Sequence, residues 1–402
     1  MNGSQGAAGQ SSGMERIRVT NSPLLCFAAP WLPAWVFSRI FIAIFVYLGH
    51  LSHPYLEKIA GGYAGVANWW LNPWTTFDSL HFLSIAGRGY TAKTTAFFPL
   101  YPLILRPLGP DEVRMALAGV LISDLAFVGA LWIFWHLTRE TYGEKVARRG
   151  VWLLAFFPVG AFSMAVYSES LFLVLALGAF WCARHQKWVF AGVLAALAAL
   201  TRNYGPVLSL ALAFEWQRSR EKEKASAGRS FSTSAAPFLA IVAPLGAFLG
   251  VQLFAARFGG ALAGVASQGN YFRAPTFPLV PLWRDGIGIL SGAQFDIVTL
   301  LNFGVTLLAF WLMWRARKIA PRADLVLLGG VLLMHLTLAR TIPPYTNGSL
   351  RYLLTLWPFT QLLARECEVF ALNQLRMAAF CAIYGLLCAV SSYLFGLKSF
   401  LG

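Results

Sequence analysis

Carboxylates are scarce in this chain, 17 against 32 Lys and Arg in 402 residues, so the position of each one carries weight. Asp78 stands alone among aromatic residues in Trp74-Thr75-Thr76-Phe77-Asp78-Ser79-Leu80-His81-Phe82. A carboxylate partly removed from water can take a proton from an alcohol, the work of a general base. The same residue, just ahead of Leu80, Phe82, Leu83 and Ile85, would also serve as an N-cap for free backbone N–H groups. His81 shares a helical face with it and is placed either to orient the carboxylate or to sit as an interfacial polar group. Glu169, in Tyr167-Ser168-Glu169-Ser170, lies between two apolar runs with almost no loop, as a solvated turn residue or part of a cavity wall. Ionisable groups at such an edge are functional by default. Asp124 falls about ten residues into an apolar run, where it must pair with a cation or stay protonated.

Two arginines complete the set. Arg202 sits in Thr201-Arg202-Asn203-Tyr204-Gly205-Pro206 and Arg351 in Ser349-Leu350-Arg351-Tyr352, each at the head or foot of an apolar run. A guanidinium at a membrane boundary can grip a phosphate through its fork or snorkel to lipid headgroups. Both on one face, opposite isolated carboxylates, point to an anionic ligand. The chain has no GxxxxGK[ST] loop, HExxH, CxxC pair or GxSxG elbow, so nucleotide hydrolysis, zinc proteolysis and serine hydrolysis lose their main support.

The elements that must position these residues are apolar. Hydrophobic residues make up 57% of the chain and charged ones 12%, against about 25% charged in a soluble domain. At roughly 20 residues per crossing of a ~30 Å hydrocarbon core, the composition allows about eleven spans, with nine to thirteen as the range. The fold expected is an all-α polytopic membrane protein, one domain over 31–396 after a flexible cytoplasmic tail, 1–30. The net charge of +15 would suggest nucleic acid in a soluble protein, but here the basic residues fall in short loops. Those loops carry Arg139, Lys145, Arg148 and Arg149, then Arg184 and Lys187, then Arg315, Arg317, Lys318 and Arg322. By the positive-inside rule they are cytoplasmic, with the N-terminus inside, and no nucleic-acid partner is expected. Two long loops, 52–113 and 257–294, then face outward, rich in Gly, Pro, Trp and Tyr; loops of that length are usually functional. The charged, Ser-rich stretch 217–234 reads as a cytoplasmic linker. Five cysteines, none in CxxC spacing, read as apolar filler.

The stretch Phe77-Asp78-Ser79-Leu80-His81-Phe82-Leu83-Ser84-Ile85-Ala86, with Gly89-Tyr90 and Ala96-Phe97-Phe98-Pro99-Leu100-Tyr101-Pro102, resembles the first luminal loop of the PIG-V family. This family holds the GPI mannosyltransferase 2-like members of the multispanning GT-C glycosyltransferases. Tyr167-Ser168-Glu169-Ser170-Leu171-Phe172, Leu200-Thr201-Arg202-Asn203-Tyr204-Gly205 and Arg351-Tyr352-Leu353 are similar to later family segments, in the same order. Phe77 stands where the family often has Trp, so an aromatic is kept.

The resemblance implies an integral-membrane mannosyltransferase with a GT-C-like fold. It would move a hexose, mannose by family, from a polyprenyl- or dolichyl-phosphate sugar to an acceptor hydroxyl on the extracytoplasmic face. Asp78 matches the loop aspartate held to be the catalytic base, and Glu169, Arg202, Arg351 and His81 become lining or donor-phosphate candidates. No cofactor and no metal is called for, since the sugar already carries a good leaving group. The partners are membrane lipid, the lipid-linked donor and a glycan or glycolipid acceptor, with a small membrane subunit left open. The compartment would be the plasma membrane in a prokaryote or the endoplasmic reticulum in a eukaryote. The competing reading is a multispanning transporter or flippase of lipid-linked saccharides, for which charges near span centres and an internal repeat would speak.

Overall fold

The computed structural model describes residues 30–52, 67–225, 235–260, 263–370 and 374–399, and these are mostly helical. The expected tail 1–30, apart from residue 30, and the start of the first long loop, 53–66, lie outside the described residues. Five helices are long and apolar enough to cross a membrane: α1 (Trp31–Ser52), α3 (Glu112–Tyr142), α7 (Ala236–Ala256), α8 (Ile297–Ala316) and α12 (Gln374–Gly396). Between them in the sequence lie α2 (Asp78–Arg88), α4 (Glu169–Arg184), α5 (Trp188–Ala199), α6 (Gly205–Ala225), α9 (Arg322–Thr337), α10 (Ser349–Leu354) and α11 (Trp357–Phe370).

The expectation of about eleven full spans therefore resolves into five long helices and several short ones. At 1.5 Å per residue the 16 residues of α4 or α9 reach about 24 Å, short of a ~30 Å hydrocarbon core. The apolar run at 151–167 is broken by local chemistry. Its helix stops at Ala155, Pro158 biases Phe157 away from helical backbone, and a 3₁₀ turn, Gly160–Ser163, follows. In a chain of this hydropathy an apolar run need not be a crossing.

The two ends of the chain meet. A Cβ at Gly49 of α1 would lie 2.0 Å from the Tyr393 carbonyl of α12, and one at Gly396 would lie 2.0 Å from the Val46 carbonyl. The helices touch backbone to backbone, which only glycine permits. Asp124 of α3 takes the paired form of its two expected fates. Arg39 Nε lies 2.8 Å from its carboxylate, Trp35 donates to it at 3.1 Å, and the guanidinium sits 4.1 Å above the Phe127 ring centre.

At one end of the bundle Arg184, closing α4, contacts Asp324 of α9 at 2.8 Å and Glu215 of α6 at 3.4 Å. Arg218 reaches the same Glu215 at 3.2 Å. Helix α6 continues to Ala225, so residues 217–225 of the stretch read as linker are helical. Its i,i+3 and i,i+4 pairs, Glu215 to Arg218 and Gln217 to Glu221, support that extension. Residues 226–234 lie outside the described part.

At the other end the two long loops come together. The first carries α2 and the second carries β1 (Arg273–Pro275), which pairs antiparallel with β2 (Leu338–Arg340) just after α9. This short ladder departs from an all-α chain. Behind it Asp285, fully buried, accepts the Tyr345 and Thr346 backbone N–H groups at 2.9 and 2.7 Å and the Thr346 hydroxyl at 2.6 Å. That grip fixes the turn leading into α10 and Arg351.

Candidate active site

The site is set by a strained entry into α2. Phe77, the residue before Asp78, has φ 55° and ψ −119°, a conformation that L residues rarely adopt. Its ring is buried edge-on against Phe395 of α12. The backbone around it is held at neighbouring points: Trp74 O accepts from Val166 N at 3.0 Å, and Thr76 O accepts from the Tyr167 hydroxyl at 3.2 Å. The N-cap position falls on Phe77, not on Asp78. Asp78 is the first residue of the helix, and no side-chain bond caps the helix start among the described residues.

Its partner is remote in sequence. Arg351 Nη1 lies 2.6 Å from Asp78 Oδ2, and Arg351 Nε lies 2.5 Å from Glu169 Oε1. Arg202 Nη1 completes the series at 2.7 Å from the same Glu169 oxygen. Asp78, Arg351, Glu169 and Arg202 thus form one chain of alternating charge. The guanidinium of Arg351 also rests 4.8 Å from the Tyr167 ring centre and 5.0 Å from that of Phe162. Arg202 packs on Tyr204 and Tyr352. Glu169 is 1% exposed, whereas Asp78 keeps 22% of its side-chain surface open. Asp78 Oδ1 makes no hydrogen bond with a described residue.

Asp78, His81, Arg202 and Arg351 line one cavity of about 390 Å³. The four residues singled out in the sequence are therefore neighbours, with Glu169 in direct contact beneath them. Of the two parts expected of His81, the contacts show no direct hold on the carboxylate. It makes no hydrogen bond to Asp78 among the described residues, and its ring stacks on Phe97 at 4.6 Å and meets Tyr271 edge-on. Burial lowers its pKa, opposed by the Asp78 charge.

The cavity also contains residues that the sequence did not single out. Arg273 and Arg340 line it from the β1–β2 ladder, and Asn347 lines it from the turn before α10. Asn347 is 3% exposed, and its Oδ1 has no hydrogen-bond partner among the described residues. An acceptor buried in this way costs about 1–3 kcal/mol until a donor reaches it. Arg273 lies in the long loop 257–294 already expected to carry function, whereas Arg340 and Asn347 lie outside both long loops, near Arg351 in sequence.

The family described as Mannosyltransferase (PIG-V) matches residues 49–257, just over half of the chain. The chain belongs to that family. Asp78, Glu169 and Arg202 lie inside the match, and Arg273, Arg340 and Arg351 lie beyond it. GPI mannosyltransferase 2 of Drosophila pseudoobscura pseudoobscura is 26% identical over 149 residues, covering 33% of this chain and 31% of that protein. The matched part thus spans under a third of the relative's length. Among solved structures, the Archaeoglobus fulgidus oligosaccharyltransferase in complex with Zn and sulfate aligns with a TM-score of 0.42 at 13% identity. That alignment covers 90% of this chain and 52% of that one. The apo form of the same enzyme aligns with a TM-score of 0.43 at 12% identity, over 92% and 56% of the two chains.

Proposed function

We propose that this protein transfers a hexose, mannose by family, from a polyprenyl- or dolichyl-phosphate sugar to a hydroxyl of a glycan or glycolipid. The observation that carries the proposal is Asp78, a part-exposed carboxylate fixed on the wall of a polar cavity in a bundle otherwise fit for lipid. The acceptor oxygen attacks C1 of the sugar while its proton passes to Asp78 Oδ1. The bond between C1 and the phosphate oxygen breaks, and its electron pair leaves with the lipid phosphate. Arg351 aims the base through Oδ2 without occupying the oxygen that must take the proton. Glu169 and Arg202 hold Arg351 in turn, so these groups position the base. Asn347 offers its unmatched Oδ1 to a sugar hydroxyl.

No cofactor enters this scheme, because the departing phosphate is already a good leaving group. The cavity would open on the extracytoplasmic side, luminal in an endoplasmic reticulum, with the N-terminus in the cytoplasm. The basic helix ends around Arg184 and Arg218, at the opposite end of α4 and α6, support that orientation. The test is to reconstitute the purified protein in vesicles with polyprenyl-phosphate-mannose and a hydroxyl acceptor. Free polyprenyl phosphate and a mannosylated product should appear together. Movement of intact donor across the bilayer with no cleavage would make the protein a transporter and end this reading.

A further inference from the structure

Resting on the transfer reading above, we propose that Arg273 and Arg340 form the subsite for the donor phosphate, and above all for the lipid phosphomonoester that leaves. The two are 67 residues apart in sequence, yet they are direct partners across the β1–β2 ladder. Residues opposite each other in a ladder project to the same face, with Cβ atoms roughly 4.5–5.5 Å apart. Both side chains line the cavity that holds Asp78. Like charges placed directly opposite destabilise a strand pair. A two-stranded ladder of three residues has little else to offset that cost.

The four arginines of the cavity divide into two kinds. Arg202 and Arg351 lie 2.5–2.7 Å from carboxylates. Arg273 and Arg340 contact no carboxylate of a described residue. Arg273 is held by neutral groups: its Nη1 donates to Leu338 O at 3.3 Å and stands 3.5 Å from His335 Nδ1, with the Tyr352 ring beside it. Gly348, at φ 95°, makes room for it, since a Cβ there would lie 3.2 Å from Arg273 Nη2. Arg340 makes no hydrogen bond or ion pair with a described residue. One guanidinium is pre-set and the other is free to close.

The charge balance names the ligand. Four arginines face two carboxylates, Asp78 and Glu169, a surplus of two positive charges. The donor is a phosphodiester with one negative charge. When the bond to C1 breaks, the electron pair stays on the phosphate oxygen and the product carries roughly 1.5–2 negative charges at pH 7, as any phosphomonoester does. A doubly cationic subsite thus strengthens its grip as the leaving group forms, the requirement for lowering a barrier.

The experiment compares Arg273→Lys, Arg340→Gln and Arg340→Lys with wild type in detergent. It measures affinity for polyprenyl monophosphate, inorganic phosphate and neutral polyprenol, and the melting temperature without ligand. Arg340→Gln should weaken polyprenyl monophosphate binding about tenfold to a hundredfold, the range of a charge-assisted hydrogen bond. It should leave the ligand-free melting temperature unchanged or raised, because the opposed charge is gone. The two Lys variants should fall between, since Lys keeps the charge without the planar fork. Competition by inorganic phosphate that Arg340→Gln abolishes would assign the same subsite to the anion itself. Wild-type affinity for polyprenyl monophosphate in all three variants would overturn the subsite while leaving the transfer reading intact. Equal wild-type affinity for neutral polyprenol would do the same. Failure of the wild-type protein to bind polyprenyl monophosphate at all would instead count against the transfer reading on which the subsite rests.

Discussion

Two ion clusters sit at opposite ends of α4 and hold the same charges, two arginines and two carboxylates each. Arg184, Glu215, Arg218 and Asp324 make up one; Asp78, Glu169, Arg202 and Arg351 make up the other. Helix α4 contributes its first residue, Glu169, to one and its last, Arg184, to the other, about 22 Å apart at 1.5 Å per residue. In the first cluster Asp324, Glu215 and Arg184 are 2%, 4% and 8% exposed and Arg218 32%, and the charges join α4, α6 and α9. In the second Asp78 is 22% exposed, in the wall of a cavity. Charge composition does not separate a staple from a site. What marks the second is its cavity, which Asp78 lines together with Asn347 and Arg340.

The comparison breaks or sharpens through substitution. The largest expected effect is Asp78→Asn, which keeps the shape of the side chain but cannot accept the proton. Turnover should fall by about 10²–10⁴, with melting temperature and donor affinity near wild type. A stable variant retaining more than about a tenth of wild-type turnover would make the second cluster a staple like the first. Next comes Arg184→Ala, which leaves Asp324 buried without its arginine. Removing one partner of a buried pair costs about 3–5 kcal/mol, so chemical or thermal unfolding should shift strongly. Turnover per folded molecule should hold, and a variant that keeps its stability but loses turnover would invert the assignment of the two ends. The smallest effect belongs to Arg88 and Glu112, 3.4 Å apart with 79% and 57% of their side chains exposed. Glu112→Gln should change neither turnover nor melting temperature measurably, because water screens such a pair.

Much of the site was legible because charge is rare in this chain. Asp78, Glu169, Arg202 and Arg351 each stand out against apolar surroundings, and all four converge. What could not be read was their bonding. Each arginine suited a phosphate equally well in isolation, and nothing local shows that Arg351 is taken by residues 182 and 273 positions earlier. The N-cap position for Asp78 was equally legible in the sequence, but the helix starts on Asp78 itself and its cap position is Phe77. Arg273 and Arg340 were passed over for the opposite reason. Arg273 lies among polar and aromatic loop residues and Arg340 closes an apolar run, where an arginine reads as an ordinary boundary residue.

The sequence by itself determined the class of molecule, because hydrophobic composition and the placement of basic loops are sums over residues that need no knowledge of contacts. It also determined the family, through short motifs whose spacing is local. Helix length was only partly determined, since a break such as Pro158 acts locally but a continued apolar run does not reveal whether lipid or protein covers it. The tertiary structure alone decided which charges cancel and which remain. Electrostatic pairing falls off over a few ångströms of space, and residues hundreds of positions apart reach that distance only when the helices pack.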